Sequence, residues 1–464
     1  MVRPSVVDLF AGAGGLALGF QAAGCRVVAA VDVDEAAAKT FSENFGRLQR
    51  QHPPRVFAGD EGDLEDLDLP RITPGRRPDI LTGGPPCQGF SRIGRGKLDS
   101  LTDEGFAGDP RNDLYRRFLD AAELWRPLAV VMENVPGMLS VNGRNIADDA
   151  AADLASRGYR VGYAILNAVW FGVPQFRERL FFIGINDELG VEPTMPRPTH
   201  AAQLPPGSFR SGANWTLPLP FVQHLELPVD LSSATYPGTT VSEALDDLPM
   251  LTRHLHREDR EPRTGIRRTM HYRCPPHSRY ARMLRSWPGL PTSRLVHDHS
   301  IRRTPRDFET FRRMRPGDRY PAALAIARQR LCEEIDRLAA HGTAPEPRTL
   351  EFQEIERRYV PPYPEASFVD KWRKLVADQP SWTVPAHLSK DAYSHIHHDS
   401  AQARAISIRE AARLQSSPDA FTFYGNIGDC YRQVGNAVPP LLAWAIARHV
   451  LDILGRKSRA PSWQ

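Results

Sequence analysis

The sequence predicts an α/β fold, a doubly wound and mostly parallel sheet carrying a second, smaller mixed domain. Three observations lead there. Over residues 1–187, short apolar runs alternate with amphipathic stretches at the spacing of strand, helix, strand, helix. The first apolar run empties through a glycine-rich turn into a helical stretch, "DLFAGAGGLALGF" from Asp8 to Phe20. From residue 188 to about 403 the texture shifts to frequent proline, arginine and histidine, and regular apolar periodicity returns only afterwards.

In chain order, "SVVDLF", "VVAAVD", "DILTGG", "LAVVMENV" and "RLFFIGI" read as strands. Between them, "LALGFQAAG", "EAAAKTFSENF", "NDLYRRFLDAAELW" and "ADDAAADLASRG" read as helices. A sheet covered by helices on both faces binds its ligands outside the carboxyl ends of the strands. In the middle segment only "AALAIARQRLCEEIDRLAAHG" has the length and pattern of a long helix. Near the end, "SIREAARLQ" reads as a short amphipathic helix and "PPLLAWAIARHVLDIL" as a longer apolar one started by its prolines. That last helix needs a core, and the N-terminal sheet supplies one.

Composition narrows the class. The 464 residues, 41% of them hydrophobic, suffice for two or three domains with real cores. No window approaches eighteen uninterrupted apolar residues, and Asp8 falls inside what would have to be the apolar region of a signal peptide, so a cytoplasmic chain without a membrane partner is expected. The five cysteines, Cys25, Cys87, Cys274, Cys332 and Cys430, lie far apart with no CxxC, which indicates reduced thiols. Net charge is only +4, but residues 251–320 hold 18 Arg, no Lys and 7 Asp plus Glu. Such a stretch suits a surface that grips phosphates and base edges, because the planar guanidinium donates two parallel hydrogen bonds. The histidine-rich pieces "HLH", "HYRCPPH" and "HDH" within it read as part of that polar surface, and no metal site is expected.

The reactive residue types gather at predicted strand ends. Gly12, Gly14 and Gly15 let backbone approach a ligand, and the helix behind them offers open N–H groups. Asp32 and Asp34 follow about twenty residues later, where a carboxylate holds ribose hydroxyls, yet no Lys or Arg stands in the turn to grip phosphates. A ribose-bearing cofactor without phosphates fits, and S-adenosylmethionine has that description. In "LTGGPPCQGFS" the "GGPP" stops both helix and sheet, so the loop presents Cys87. Glu133 of "VVMENV" stands where another buried strand runs out, giving a nucleophile and an acid on one rim. In "GVPQFRERL", Gln175, Arg177 and Arg179 alternate, which points all three to one face.

With those residues in view, the chain resembles the DNA cytosine-C5 methyltransferases. "DLFAGAGGLALGF", "GGPPCQGFS", "MENVPGML", "FGVPQFRERLFFIGI", "SIREAARLQSSPDAFTFYGN" and "RQVGNAVPP" occur in that family's order across residues 8–440, the middle excepted. The resemblance implies a sheet of the S-adenosylmethionine-dependent methyltransferase type. Residues 1–187, completed by 430–464, would form the catalytic and cofactor-binding domain, and 188–429 the target-recognition domain. It implies that Cys87 adds to C6 of a flipped-out cytosine, that Glu133 protonates or hydrogen-bonds N3, and that Asn134 fixes the active-site loops. Arg179, with Arg177 and Gln175 nearby, would bind the base oxygen. For the cofactor it implies Phe10 against the adenine, backbone at Gly12 and Gly14, Asp32 on the ribose and Asp63 on the adenine amine, with Asp60 as the other candidate. Pro85 and Leu114 would line the site and Asn436 close it.

Double-stranded DNA is the implied partner, with a cognate restriction endonuclease acting separately, and a monomer at the nucleoid suffices for the mechanism. Ser407 and Ser416 stand where the family more often has Thr and an aromatic residue. Residues 380–399 resemble the stretch that joins target recognition to the "REAARLQ" helix, and DNA contact is expected there. Two other readings remain open: a tRNA cytosine-C5 methyltransferase on the same scaffold, and a catalytically silent DNA-binding relative. The large arginine-rich insert weighs against the first, and the joint presence of cysteine, acid, arginines and cofactor turn against the second.

Overall fold

The computed structural model describes residues 3–64, 67–86, 114–140, 145–206, 208, 222–224, 234–255, 269–365, 371–390 and 392–456. The strands that build the centre are β1 (Ser5–Leu9), β2 (Arg26–Asp32), β3 (Arg55–Ala58), β4 (Ile80–Gly83), β5 (Ala129–Asn134) and β6 (Tyr159–Asn167). They are followed by β7 (Gln175–Phe176), β8 (Glu178–Asn186) and β9 (Val222–His224). All but β7 join one sheet in the order β9, β6, β8, β5, β4, β1, β2, β3. Every pair is parallel except those made by β8, which runs antiparallel to both β5 and β6. Strand order reverses between β1 and β4, and a ligand crevice belongs at that switch point.

Helices α1 (Gly15–Ala22), α2 (Glu35–Leu48), α3 (Leu114–Trp125) and α4 (Ile146–Ser156) follow the strands, as the apolar spacing predicts. They divide between the faces. Val6 of β1 belongs to the core that holds α1 and the chain's last helix, whereas Val7 belongs to the core under α3 and α4. The doubly wound architecture thus follows from strands that are apolar on both sides.

The middle of the chain contributes α5 (Val241–Leu245), α6 (Arg279–Arg285), α7 (Phe308–Arg313), α8 (Tyr320–Ala340) and α9 (Leu350–Tyr359). The long helix expected from the sequence is α8. A separate aromatic core forms below it, where Trp372 stacks on Tyr393 with ring centres 4.7 Å apart and Phe311 and Tyr320 pack alongside. Lys374, fully buried, closes α7 by donating to the carbonyls of Phe311 at 2.7 Å and Met314 at 2.9 Å.

The chain ends with α10 (Ile408–Leu414), α11 (Ile427–Asn436) and α12 (Pro440–Ile453). The proline-started α12 lies on α1 so closely that a Cβ at Gly19 would meet Ala443 at 2.4 Å. The expectation for "SIREAARLQ" needs correction: α10 is not amphipathic, for all seven of its residues are buried. Its arginines and those near it are buried because each finds acceptors. Arg413 pairs with Asp247 and, at 2.6 Å, with Asp419, and Arg404 bonds Glu410 at 2.6 and 2.7 Å. Arg409 reaches the carbonyls of His297, Pro418 and Phe421. Ser407 suits its place, since its hydroxyl caps Glu410 N–H and bonds His299 Nδ1 at 2.8 Å.

Two histidines, His299 and His395, are spent on structure. His299 Nε2 bonds the Pro249 carbonyl at 2.7 Å and His395 Nε2 the Trp382 carbonyl at 3.2 Å, and both rings are fully buried. Burial holds His299 down to about 4 and His395 down to about 3, against an ordinary 6.5. Between those values and 6.5 the unfolded chain binds protons that the native state refuses, so stability present above pH 6.5 is lost as pH falls. The two rings together remove about 4 kcal/mol of unfolding free energy at pH 5 relative to pH 7.5. Urea titrations at the two pH values check this, and a midpoint unchanged at pH 5 would contradict it.

Candidate active site

The carboxyl rim of the sheet is shaped first by the turn after β1. Phe10, half-buried, takes φ 54°, and Gly12 and Gly14 take φ 55° and 94°. The turn is locked to the next strand by one carboxylate: Asp32 accepts from Gly12 N–H at 2.6 Å and from Asp34 N–H at 2.8 Å. Each oxygen retains a second lone pair for a ligand hydroxyl. A Cβ at Gly12 would have open space around it, while one at Gly15 would strike the Val438 carbonyl at 2.3 Å. The C-terminal segment therefore rests on the turn, and Asn436, exposed at the end of α11, stands just ahead of that contact.

The two acidic candidates after β3 differ in their burial. A Cβ on Gly62 would lie 2.5 Å from the Asp32 carbonyl, so Asp63 follows a close approach to β2 and is half-buried, whereas Asp60 is exposed. Val33 was missed by sequence reasoning. It is 64% exposed between Asp32 and Asp34, an apolar side chain just past the carboxyl end of β2. The only sequence signal was an apolar residue between two aspartates at a strand end.

The second part of the rim is built by antiparallel pairing. Because β8 runs against β5, its first residues meet the last residues of β5, with Phe181 opposite Glu133 and Leu180 opposite Asn134. Arg179 thereby bonds Glu133 at 2.8 Å. Burial pushes the Glu133 carboxyl up, while the guanidinium groups of Arg179 and Arg177 pull it down. Asn134 is buried and its Nδ2 donates to the carbonyl of buried Pro85 at 3.4 Å, while its Oδ1 accepts from Val135 N–H at 2.8 Å. A Cβ at Gly84 would stand 3.1 Å from Glu133 Oε2. The loop out of β4 is thus pressed against the acid and tied to its neighbour. Cys87 lies outside the described residues. Leu114 is the half-buried first residue of α3.

Gln175 and Arg177 do not share a face with Arg179, which corrects the expectation from alternation. The extended run breaks at Arg177, between β7 and β8, and β7 pairs with Ser381–Trp382 instead of the main sheet. Gln175, fully buried, bonds the Leu414 carbonyl at 2.9 Å, Gln415 Oε1 at 2.7 Å and Val384 N–H at 2.8 Å. Arg177 donates to the carbonyls of Val384, Gly435 and Ala437 at 2.9–3.1 Å. Both position the returning C-terminal segment. A further strut joins the same parts, for Arg432 of α11 bonds Asp34 at 2.9 Å.

Asp8 was also overlooked. Buried under the turn, it accepts from the Thr82 hydroxyl at 2.7 Å, and burial pushes its carboxyl up to about 7.

The family model for C-5 cytosine-specific DNA methylases matches residues 5–452. A type II methyltransferase of Oceanobacillus iheyensis is 37% identical over 446 residues, covering 96% of this chain and 94% of its own. The type II methyltransferase M.AgeI of Thalassovita gelatinovora is 33% identical over 474 residues, covering 96% and 98%. Among solved structures, a DNA modification methyltransferase encoded within an E. coli prophage superposes with a TM-score of 0.64 at 20% identity, covering 98% of this chain and all of that one, a likeness of fold.

The division of labour between the two arginines is testable. Arg177→Met takes the guanidinium donor from the buried Val384 and Gly435 carbonyls and lowers unfolding stability by about 3 kcal/mol, raising the cofactor KM more than it lowers kcat. Arg179→Met leaves the buried Glu133 carboxyl without its cation, lowers stability by about 3 kcal/mol and abolishes turnover. Steady-state kinetics of the two variants separate them; turnover lost equally in both would contradict the assignment.

Proposed function

The chain belongs to the C-5 cytosine-specific DNA methylase family and is a DNA methyltransferase; from that premise we propose that it methylates C5 of a flipped-out cytosine within a short sequence of duplex DNA, through a covalent Cys87 adduct at C6. The observation that carries this reading is the Glu133–Arg179 pair at the carboxyl rim, with the Gly84–Pro86 loop that leads directly into Cys87 packed against it.

Cytosine C5 is too poor a nucleophile to react unaided. The Cys87 thiolate forms a bond to C6, and the C5–C6 electron pair moves toward C5. Glu133, kept protonated in part by burial, gives its proton to N3 as negative charge builds on the ring, so the adduct is a neutral enamine. Arg179 holds the Glu133 carboxylate that results and faces the base oxygen. Asn134 keeps the cysteine loop from drifting. S-adenosylmethionine, when bound, supplies an electrophilic methyl group for C5. Water then removes the C5 proton, the C5–C6 double bond re-forms, the Cys87 thiolate leaves, and N3 returns its proton to Glu133.

The residues of the first turn fit that cofactor. Asp32 has lone pairs for a ribose, Gly12 faces open space, and Val33 offers an apolar surface for an adenine, and to the same site we assign Phe10, Asp63, Pro85, Leu114 and Asn436. No basic side chain stands in the turn, which suits a ligand without phosphates.

We assign catalysis to 1–187 with 430–464 and target recognition to 188–429, where Arg273, Arg282, Arg294, Arg303 and Arg315 are exposed for phosphate and base contact. The flipped base must leave its stack at a cost of a few kcal/mol, which those contacts offset. The relatives' description as type II methyltransferases supports a restriction-modification role beside a separate endonuclease. Among the described residues, no helix is long and apolar enough to cross a membrane. A monomer near the nucleoid satisfies the mechanism.

The test is methyl transfer from radiolabelled S-adenosylmethionine into unmethylated duplex DNA, followed by bisulfite sequencing. Wild type should place 5-methylcytosine in one short motif, Cys87→Ser should place none, and Glu133→Gln should slow turnover by about 100-fold or more. Label in tRNA but not DNA would overturn the substrate assignment, and full activity of Cys87→Ser would overturn the mechanism.

A further inference from the structure

At the end of the sheet opposite the reactive rim, the amino ends of β1, β2 and β3 open into a cavity of about 240 Å³. The sheet itself creates the opening. Register between β1 and β2 slips after Val6, which faces Val27, so that Val7 faces Ala29 and Val28 is passed over. Such a bulge bends the strand locally. The Val27 carbonyl is taken by the side-chain amide of Gln49 at 2.9 Å, so the irregularity is hydrogen-bonded.

The walls are strongly cationic. Arg26, Arg55, Arg76 and Arg77 line the cavity with His52, and no acidic residue does. Arg55 is held in place, for its Nη1 donates to the Arg71 carbonyl at 2.7 Å and the Ile72 carbonyl at 3.3 Å while its guanidinium lies 5.1 Å from the Phe57 ring centre. Its Nε and Nη2 donate to no described residue. Asp79, next to the lining residue Pro78, accepts the Ser5 N–H and hydroxyl, each at 2.7 Å, and its one negative charge offsets only part of the four guanidinium charges. Between the cations lies a floor of Val27, Val28 and Ile72, with Pro53 and Pro74 beside it.

We propose that this cavity binds a nucleoside polyphosphate. Arginines ranged around one hole match several adjacent negative charges, because each guanidinium donates parallel hydrogen bonds to phosphate oxygens. The apolar and proline floor gives a flat base a surface to lie on. A duplex is convex and presents its phosphates in a track, so a half-open hollow of about 240 Å³ suits a single nucleotide better. The site lies at the far end of the strands from the cofactor turn, and nothing in methyl transfer calls for it.

The test uses full-length protein with saturating S-adenosylhomocysteine, which keeps adenine out of the cofactor cleft, and measures ATP and inorganic triphosphate binding by calorimetry. Wild type should bind one ATP per chain and bind triphosphate more weakly. The variant R76A/R77A changes two exposed loop residues; it should bind ATP at least about tenfold less tightly and retain wild-type methyl transfer. Absence of saturable ATP binding, or unchanged affinity in the variant, would overturn the proposal. Triphosphate bound as tightly as ATP would overturn the nucleoside assignment.

Discussion

A carboxyl group sunk at the end of β5 can serve as an acid only if something governs its charge, and in this chain that is Arg179, 2.8 Å away. The pairing depends on strand direction. Were β8 parallel to β5, the start of β8 would lie at the other end of the sheet, some twenty ångströms from Glu133 for strands of this length. Antiparallel β8 places Arg179 on the rim and leaves burial, which raises the Glu133 pKa, in opposition to the cation, which lowers it.

The rim is completed from a distance. Residues near 437 return more than four hundred positions after the glycine turn and lie on Gly15, and Arg177 holds them there through three backbone carbonyls. Buried arginines of the α10 region carry the same logic outward, tying the C-terminal segment to Asp247 and Asp298 of the middle region. Ion pairs of this kind add little over apolar packing, yet removing one partner leaves a charge stranded, so they fix which surfaces meet.

Much of the fold was legible because strands apolar on both faces and helices with one apolar stripe leave distinct periodicities, as "VVAAVD" and "EAAAKTFSENF" do. The site was legible where a polar residue interrupts an apolar run at its end, as Glu133 does. It was misread where alternation was extended through Arg177, since nothing local announces that β7 leaves the main sheet to pair with Ser381–Trp382. The burial of α10 was equally hidden. Arg404, Arg409 and Arg413, in and beside a short helix, read as solvent-facing until Glu410, Asp298 and Asp247 are seen to meet them, and the last two partners lie more than 100 residues away. Val33 and Asp8 escaped notice because one apolar and one acidic residue near a strand end carry no signal by themselves.

The measurement that tests the central claim most directly is intact mass analysis of the protein incubated with S-adenosylmethionine and a duplex carrying 5-fluorocytosine at the methylated position. Fluorine cannot leave C5 as a cation, so the final elimination is blocked and the enzyme should remain bonded to the methylated base, one oligonucleotide per chain, with the adduct mapping to the peptide that contains Cys87. Methylation of ordinary DNA by a protein that forms no adduct with the fluorinated duplex, or an adduct on any other residue, would contradict the account.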